Sequence, residues 1–99
     1  MPALHIGVAE YAEGPTGCTL FYFPDGVAVV ADVRGGSAGT TVTEGLQHGD
    51  AWLHAICLAG GSIHGLEAAV GVAAGLLARA SYSTRWQDIK LVSGAVIFD

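Results

Sequence analysis

Two glycine-rich stretches hold the residues best suited to chemistry. The first is Asp32-Val33-Arg34-Gly35-Gly36-Ser37-Ala38-Gly39-Thr40. Glycines let backbone N–H groups converge on an anion, or on the oxyanion that develops when an acyl carbon is attacked. Arg34 can grip a carboxylate through two parallel hydrogen bonds. The same residues equally suit a tight loop in which Arg34 and Asp32 only fix the backbone. The second stretch is Ala59-Gly60-Gly61-Ser62-Ile63-His64-Gly65-Leu66-Glu67. It reads as a strand–glycine–helix junction, where free N–H groups and the helix dipole favour negative charge. Ser62 suits an N-cap, and His64 is either a titratable pocket group or a packed helix residue. Neither a G-x-G-x-x-G fingerprint nor a Gly-Lys-Ser/Thr phosphate loop is present.

Other constellations are weaker. Ser62 with His48 or His54 is a conceivable nucleophile pair, but no G-x-S-x-G elbow surrounds it. Cys57 with His54 or His64 is a conceivable thiol pair, although Cys57 falls in mid-strand. His48, His54 and His64 with Asp50 lack the spacing of a metal-binding helix face. No metal or organic cofactor is expected.

The elements that must position these residues follow from pattern. Leu4 to Tyr11 reads as a strand, and Glu13-Gly14-Pro15-Thr16-Gly17 turns the chain. Cys18 to Phe23 and Val27 to Val33 read as two strands of an antiparallel hairpin about a Pro24-Asp25-Gly26 turn. Arg34 to Gly49 reads as loop. Trp52 to Ala59 is a continuous apolar run, which suits a strand buried on both faces. Ser62 to Ala80 is helical. It is apolar nearly all round and so expected to be central and buried, with Leu66, Val70, Ala73 and Leu77 on one face and Ala69, Val72 and Leu76 on the next. Gly65, Ala68, Gly71 and Gly75 permit close backbone approach. Lys90 to Phe98 reads as a last strand, weakened at Ser93-Gly94. The order predicts an α/β layered fold with a helix on a mixed sheet.

Composition narrows the class. The chain has 99 residues, 52% hydrophobic and 13% charged, where an average soluble domain carries roughly 25% charged residues. A chain this short hides only about 60–70% of its unfolded surface. So much apolar sequence implies exposed patches or a covering chain, hence a piece of a larger assembly. The abrupt end after an apolar strand fits that expectation. Four Lys and Arg against nine Asp and Glu, a formal net charge of −5, make no patch for nucleic acid. Cys18 and Cys57 match no zinc or redox spacing, so free buried thiols in a reducing, cytoplasmic setting are expected. The start of the chain lacks a signal peptide pattern. His64 and Glu67 interrupt the one candidate span, Ala55 to Ala80, and its clean run from Ala68 to Ala78 falls short of the ~20 residues needed. No membrane span is expected.

Three ordered blocks, Asp32–Thr40, Leu58–Ala69 and Gly94–Asp99, resemble the signature blocks of the P1 family of peptidases. That family comprises L-aminopeptidase/D-amidases, β-peptidyl aminopeptidases and nylon oligomer hydrolases. Glu13–Gly17, His54–Gly61 and Leu91–Ser93 most resemble the nylon oligomer hydrolase branch. The resemblance implies a four-layer αββα sandwich of the ornithine acetyltransferase-like type, of which residues 1–99 form an N-terminal part. It implies a precursor that cleaves itself before a Ser or Thr, whose new α-amine then serves as base for its own hydroxyl. It also implies amide hydrolysis through an acyl-enzyme, no cofactor, and homo-oligomers.

By the same resemblance the nucleophile lies beyond this chain, in a C-terminal segment of the same precursor. The lysine and asparagine that assist the nylon hydrolases lie there too. No catalytic residue is therefore expected here. The chain is expected to supply pocket or oxyanion groups from Arg34, Gly35, Gly36, Gly60, Gly61, Ser62, His64 and Phe98. Phe98 stands where the nylon hydrolases have a tyrosine near the substrate, and His64 where relatives often have Tyr or Phe. The substrate is a small amide: a small peptide or a nylon-type oligomer. Two alternatives remain on the same scaffold, a non-catalytic structural or oligomerisation module and an ornithine acetyltransferase-like acyl transferase.

Overall fold

The computed structural model describes residues 2–36 and 38–99, so Met1, and Ser37 of the first glycine-rich stretch, lie outside the described residues. Strands β1 (His5–Tyr11), β2 (Thr16–Val29), β3 (Thr40–Thr41), β4 (Ala51–Ala59) and β5 (Val92–Val96) form one mixed sheet in the order β1-β2-β4-β5-β3. Helix α1 (Leu66–Arg79) links β4 to β5, which are parallel; the other pairs are antiparallel. Parallel neighbours cannot be joined by a tight turn, so a helical crossover is the economical link.

The alternation of β4 sets the core. Leu53, Ala55, Cys57 and Ala59 are buried, while Trp52 and Leu58, of opposite parity, are exposed. The buried set faces α1. Ala55, Cys57, Val92, Ala69 and Leu76 form the core, and Cys18, Leu20, Tyr22, Val72 and Ala73 pack around it. Each large side chain covered this way contributes roughly 1.5–3 kcal/mol. The expectation that β4 is buried on both faces does not hold in this chain, because Trp52 and Leu58 on the face away from α1 are exposed, although Trp86, Gln87 and Ile89 approach its Trp52–His54 end.

Four other expectations are corrected. Pro24-Asp25-Gly26 does not reverse the chain. β2 runs straight through it, and the register with β4 slips between Tyr22 and Val27. Gly26 sits at φ +78 against the Trp52 indole, so this is a bulge rather than a hairpin turn. The true hairpin is β1–β2, turned by the Glu13–Gly17 cluster. The loop between residues 34 and 49 contains β3 and a 3-10 turn at Glu44–His48. Finally, α1 is not central: Ala69 and Leu76 are buried, while Val70 and Leu77 are exposed. Its small residues make a thin cover for one sheet face. Ser93-Gly94 lies inside β5 rather than weakening it, with the Ser93 hydroxyl donating to the Thr41 carbonyl at 3.1 Å.

Candidate functional site

The junction after β4 is where the sequence blocks meet. Gly60 donates its N–H to the Gly17 carbonyl at 2.9 Å, and Ser62 donates to the Ile97 carbonyl at 3.2 Å. Gly61 donates to the Asp99 carboxylate at 2.7 Å, and the Thr16 hydroxyl donates to the other Asp99 oxygen at 3.2 Å. Ile97 closes the ring by donating to the Ala59 carbonyl at 2.8 Å. Three distant segments, 16–17, 59–62 and 97–99, are thus stitched together.

Local sequence explains the geometry. A Cβ on Gly60 would strike the Thr16 hydroxyl and the Asp99 carboxylate, so only glycine allows that approach. Gly61 at φ +88 takes the left-handed turn that ends the strand. Ser62 follows at φ +59, an uncommon state for a residue with a side chain. It opens a 3-10 turn, Ser62–Gly65, that leads into α1, and Gly61 is the residue capping that turn, with no side-chain cap bond. Ser62 is therefore held by tertiary bonds and does not act as the expected cap.

This geometry bears on the oxyanion expectation. The N–H groups of Gly60, Gly61 and Ser62 are each already donated within the protein. What these residues present is wall. A cleft of about 680 Å³ on one side of the junction is lined by Gly60, Gly61, His64, Glu67 and Tyr11. A second, of about 630 Å³, is lined by Gly60, Phe21, Leu58, Ile97 and Asp99. His64 is exposed, and the Phe98 ring projects almost free of contacts.

Arg34 is placed differently. It pairs with Asp32 at 3.0 Å, both side chains largely exposed. Gly35 and Gly36 have open space around them. The stretch reaches the junction's strand through Gly39, whose carbonyl accepts the Val96 N–H at 2.9 Å; Val96 is the register partner of Ala59.

The weaker constellations do not assemble. Strand alternation puts His54 and Cys57 on opposite faces of β4. Burial, with Cys18 close by, pushes the Cys57 thiol up to about 11, the reverse of what a nucleophile needs. His54 is held below its ordinary value by burial and by the Lys90 charge, and its Nδ1 accepts the Leu91 N–H at 3.3 Å. Among the described residues no three potential metal ligands gather. Also among them, no helix is long and apolar enough to cross a membrane. Asp99, Thr16 and Gly17 are the residues that motif reading passed over. Their one signal was that each sits inside a recognisable block.

The chain is similar to 6-aminohexanoate-oligomer endohydrolases. It is 47% identical over 98 residues to the enzyme of that name from Agromyces sp. (strain KY5R). Identity is 46% over the same length to those from Kocuria sp. (strain KY2) and Paenarthrobacter ureafaciens. Each match takes in 99% of this chain and 26% of the relative, so the chain spans about a quarter of the length of these proteins. No family model matches the chain.

Proposed function

We propose that this chain is the N-terminal segment of a self-processing amidohydrolase of the P1 peptidase type, acting on small amides of the nylon-oligomer class. The observation that carries the reading is the 46–47% identity, across the whole chain, to relatives named for endohydrolysis of 6-aminohexanoate oligomers. The Ser or Thr nucleophile belongs to another segment of the precursor. Its hydroxyl attacks the amide carbonyl while its own α-amine takes the proton. The amine product leaves, and water releases the acyl group.

In this reading the chain forms one sheet layer and one helix layer, and the rest of the precursor supplies the second sheet over the Trp52–Leu58 face. The exposed apolar side chains there support that role. Gly60, Gly61 and His64 line a cleft at the junction, and Arg34, Gly35, Gly36, Ser62 and Phe98 are proposed to face the substrate once the rest of the precursor is in place. Homo-oligomers and a cytoplasmic location complete the proposal, the latter supported by two free thiols.

The test is to express the full encoded protein, weigh every polypeptide in the purified sample, and incubate it with a 6-aminohexanoate oligomer. A second polypeptide beginning with Ser or Thr, together with released 6-aminohexanoate units, is the expected result. An unprocessed protein that leaves oligomers and simple amino-acid amides intact removes the proposal.

A further inference from the structure

A small cleft opens at the other end of β4, away from the Gly60–Ser62 junction. It holds about 280 Å³ and is lined by Trp52, His54, Trp86, Gln87, Ile89 and Leu91. The fold sets its walls. Trp52 rests on the bulge of β2: Gly26, at φ +78, has no Cβ, and one placed there would strike the indole Nε1. His54 is tied to Leu91 twice. Its backbone N–H donates to the Leu91 carbonyl at 2.9 Å, and its imidazole Nδ1 accepts the Leu91 N–H at 3.3 Å. Trp86 opens a 3-10 turn, Trp86–Asp88, which Asp88 anchors by accepting from the Ser83 hydroxyl at 2.7 Å and from Arg85 Nε at 3.0 Å. The turn is fixed while Trp86 itself is 79% exposed.

The polar groups select the ligand. With Nδ1 accepting, the neutral imidazole carries its proton on Nε2. Burial and the Lys90 charge favour that neutral form. Nε2–H is the donor left for a ligand. Lys90 sits between Ile89 and Leu91 in sequence, is half-buried, and joins neither ion pair of the described residues. None of the lining residues is acidic. A cation is therefore disfavoured, although two indoles would otherwise suit one. What fits is a flat apolar ring, for contact with the indoles, carrying an oxygen acceptor for Nε2–H. The volume is near the small end of ordinary ligand pockets, about 300 Å³, which leaves room for one ring.

We propose that this cleft is a separate binding site for a small aromatic carboxylate or carboxamide, with its ring against the Trp52 and Trp86 indoles and its carbonyl oxygen accepting from His54 Nε2–H. The site stands apart from the amidohydrolase reading and does not rest on it. Trp86, Gln87 and Ile89 already occupy this end of the sheet face, so a layer resting on Leu58 need not close the cleft. Trp86 gains most from the ligand, because a bound ring takes its apolar surface out of water.

The experiment titrates the full encoded protein with benzoate, benzamide, toluene and benzyltrimethylammonium, each followed by saturation-transfer NMR of the probe. Benzoate and benzamide should bind with Kd on the order of 1 mM or tighter. Toluene lacks the acceptor and the ammonium is repelled by Lys90, so each should bind roughly fivefold more weakly or worse. Trp86→Ala should weaken benzoate binding roughly fivefold or more, and Trp86→Phe should recover most of it. Tyr82→Ala removes an exposed aromatic residue of the same segment that does not line the cleft, and should leave binding unchanged. Thermal unfolding of Trp86→Ala should match the parent, since the side chain is largely exposed.

Failure of both benzoate and benzamide to bind overturns the site. Binding that Trp86→Ala leaves intact, or that Tyr82→Ala weakens equally, places the probes elsewhere and overturns it too. Toluene or the ammonium binding as tightly as benzoate overturns the ligand class. If Trp86→Ala unfolds early, Trp86→Phe and the ranking of the four probes decide, because that variant keeps a ring at the same place.

Discussion

Gly94 of β5 lies directly under Ala69 of α1, so close that a Cβ on Gly94 would sit 2.6 Å from the Ala69 methyl carbon and 3.0 Å from the Thr41 hydroxyl. Carbon atoms do not approach that closely, so the helix would have to lift. Gly94→Ala is expected to cost about 1–3 kcal/mol, the usual range for overpacking. The thermal midpoint should fall by several degrees. Adding Ala69→Gly should recover part of the loss, less the ~1 kcal/mol that glycine costs a helix interior. Thermal unfolding of the two variants beside the parent decides it. A Gly94→Ala protein that melts with the parent would show that the helix does not rest on this glycine.

Cys57 gives a prediction of opposite chemical character. Its thiol is moved from an ordinary 9.0 to about 11, first by burial and then by Cys18. Between those values the unfolded chain has lost the proton and the folded chain has kept it. Stability is thus fully present below about pH 9.0 and declines as pH rises toward 11. Denaturant melts across that window should show the decline, and Cys57→Ala should flatten it. Iodoacetamide at neutral pH should leave Cys57 unmodified in the native protein. Rapid native-state alkylation at Cys57 would contradict its burial.

The elements with one strong period were legible in the sequence, and those depending on a neighbour were not. Ala51–Ala59 and Leu66–Arg79 emerge within a few residues of the pattern, because apolar periodicity reports burial directly. The run Trp52-Leu53-His54-Ala55-Ile56-Cys57-Leu58 could not say which face was covered, since one covered face and two give the same apolar letters. Pro24-Asp25-Gly26 misled for a different reason. A turn signal marks a local change of direction, and whether that becomes a reversal or a bulge depends on whether β4 continues alongside. It does, with Val27 opposite Leu53 and Tyr22 opposite Ala55.

The junction was legible as blocks and not as contacts. Gly60-Gly61-Ser62 suggested an anion cradle because its donors are free in the sequence. Their real acceptors, the Gly17 and Ile97 carbonyls and the Asp99 carboxylate, come from segments whose approach no local pattern encodes. Ser62 failed as an N-cap for the same reason, since its backbone is bent by tertiary bonds before its side chain can cap anything.

His54 should make stability depend on pH on the acid side. Its Nδ1 accepts the Leu91 N–H, and burial, followed by the Lys90 charge, lowers its pKa from 6.5. Just below pH 6.5 the unfolded chain takes up a proton that the folded chain refuses. Stability is therefore full above that value and falls as pH drops through the window down to the lowered native pKa. His54→Asn, which keeps an acceptor near the same place, should flatten this part of the profile. Denaturant midpoints measured from pH 7.5 down to 5 test it. If His54→Asn keeps the parental slope, another group carries the dependence.

The uncovered sheet face gives the last prediction. Register puts Ile6, Val8, Phe21, Ile56, Leu58 and Ile97 on the side of the sheet away from α1, and Ile6, Val8, Leu58 and Ile97 are exposed. A contiguous apolar surface of this kind is rare on a free monomer. The 99-residue chain produced alone should therefore self-associate and bind a hydrophobic dye. Leu58→Glu should reduce both effects in that isolated chain. In the full encoded protein the same substitution should be harmful, because it buries a carboxylate if the face is covered there; a loss of about 1–3 kcal/mol is the scale for an unmatched buried polar group. Gel filtration and dye binding report the first arm, and thermal unfolding of the full protein reports the second. An isolated chain that is monomeric and dye-free, with Leu58→Glu neutral in the full protein, would mean that this face is solvated and that no second layer rests on it.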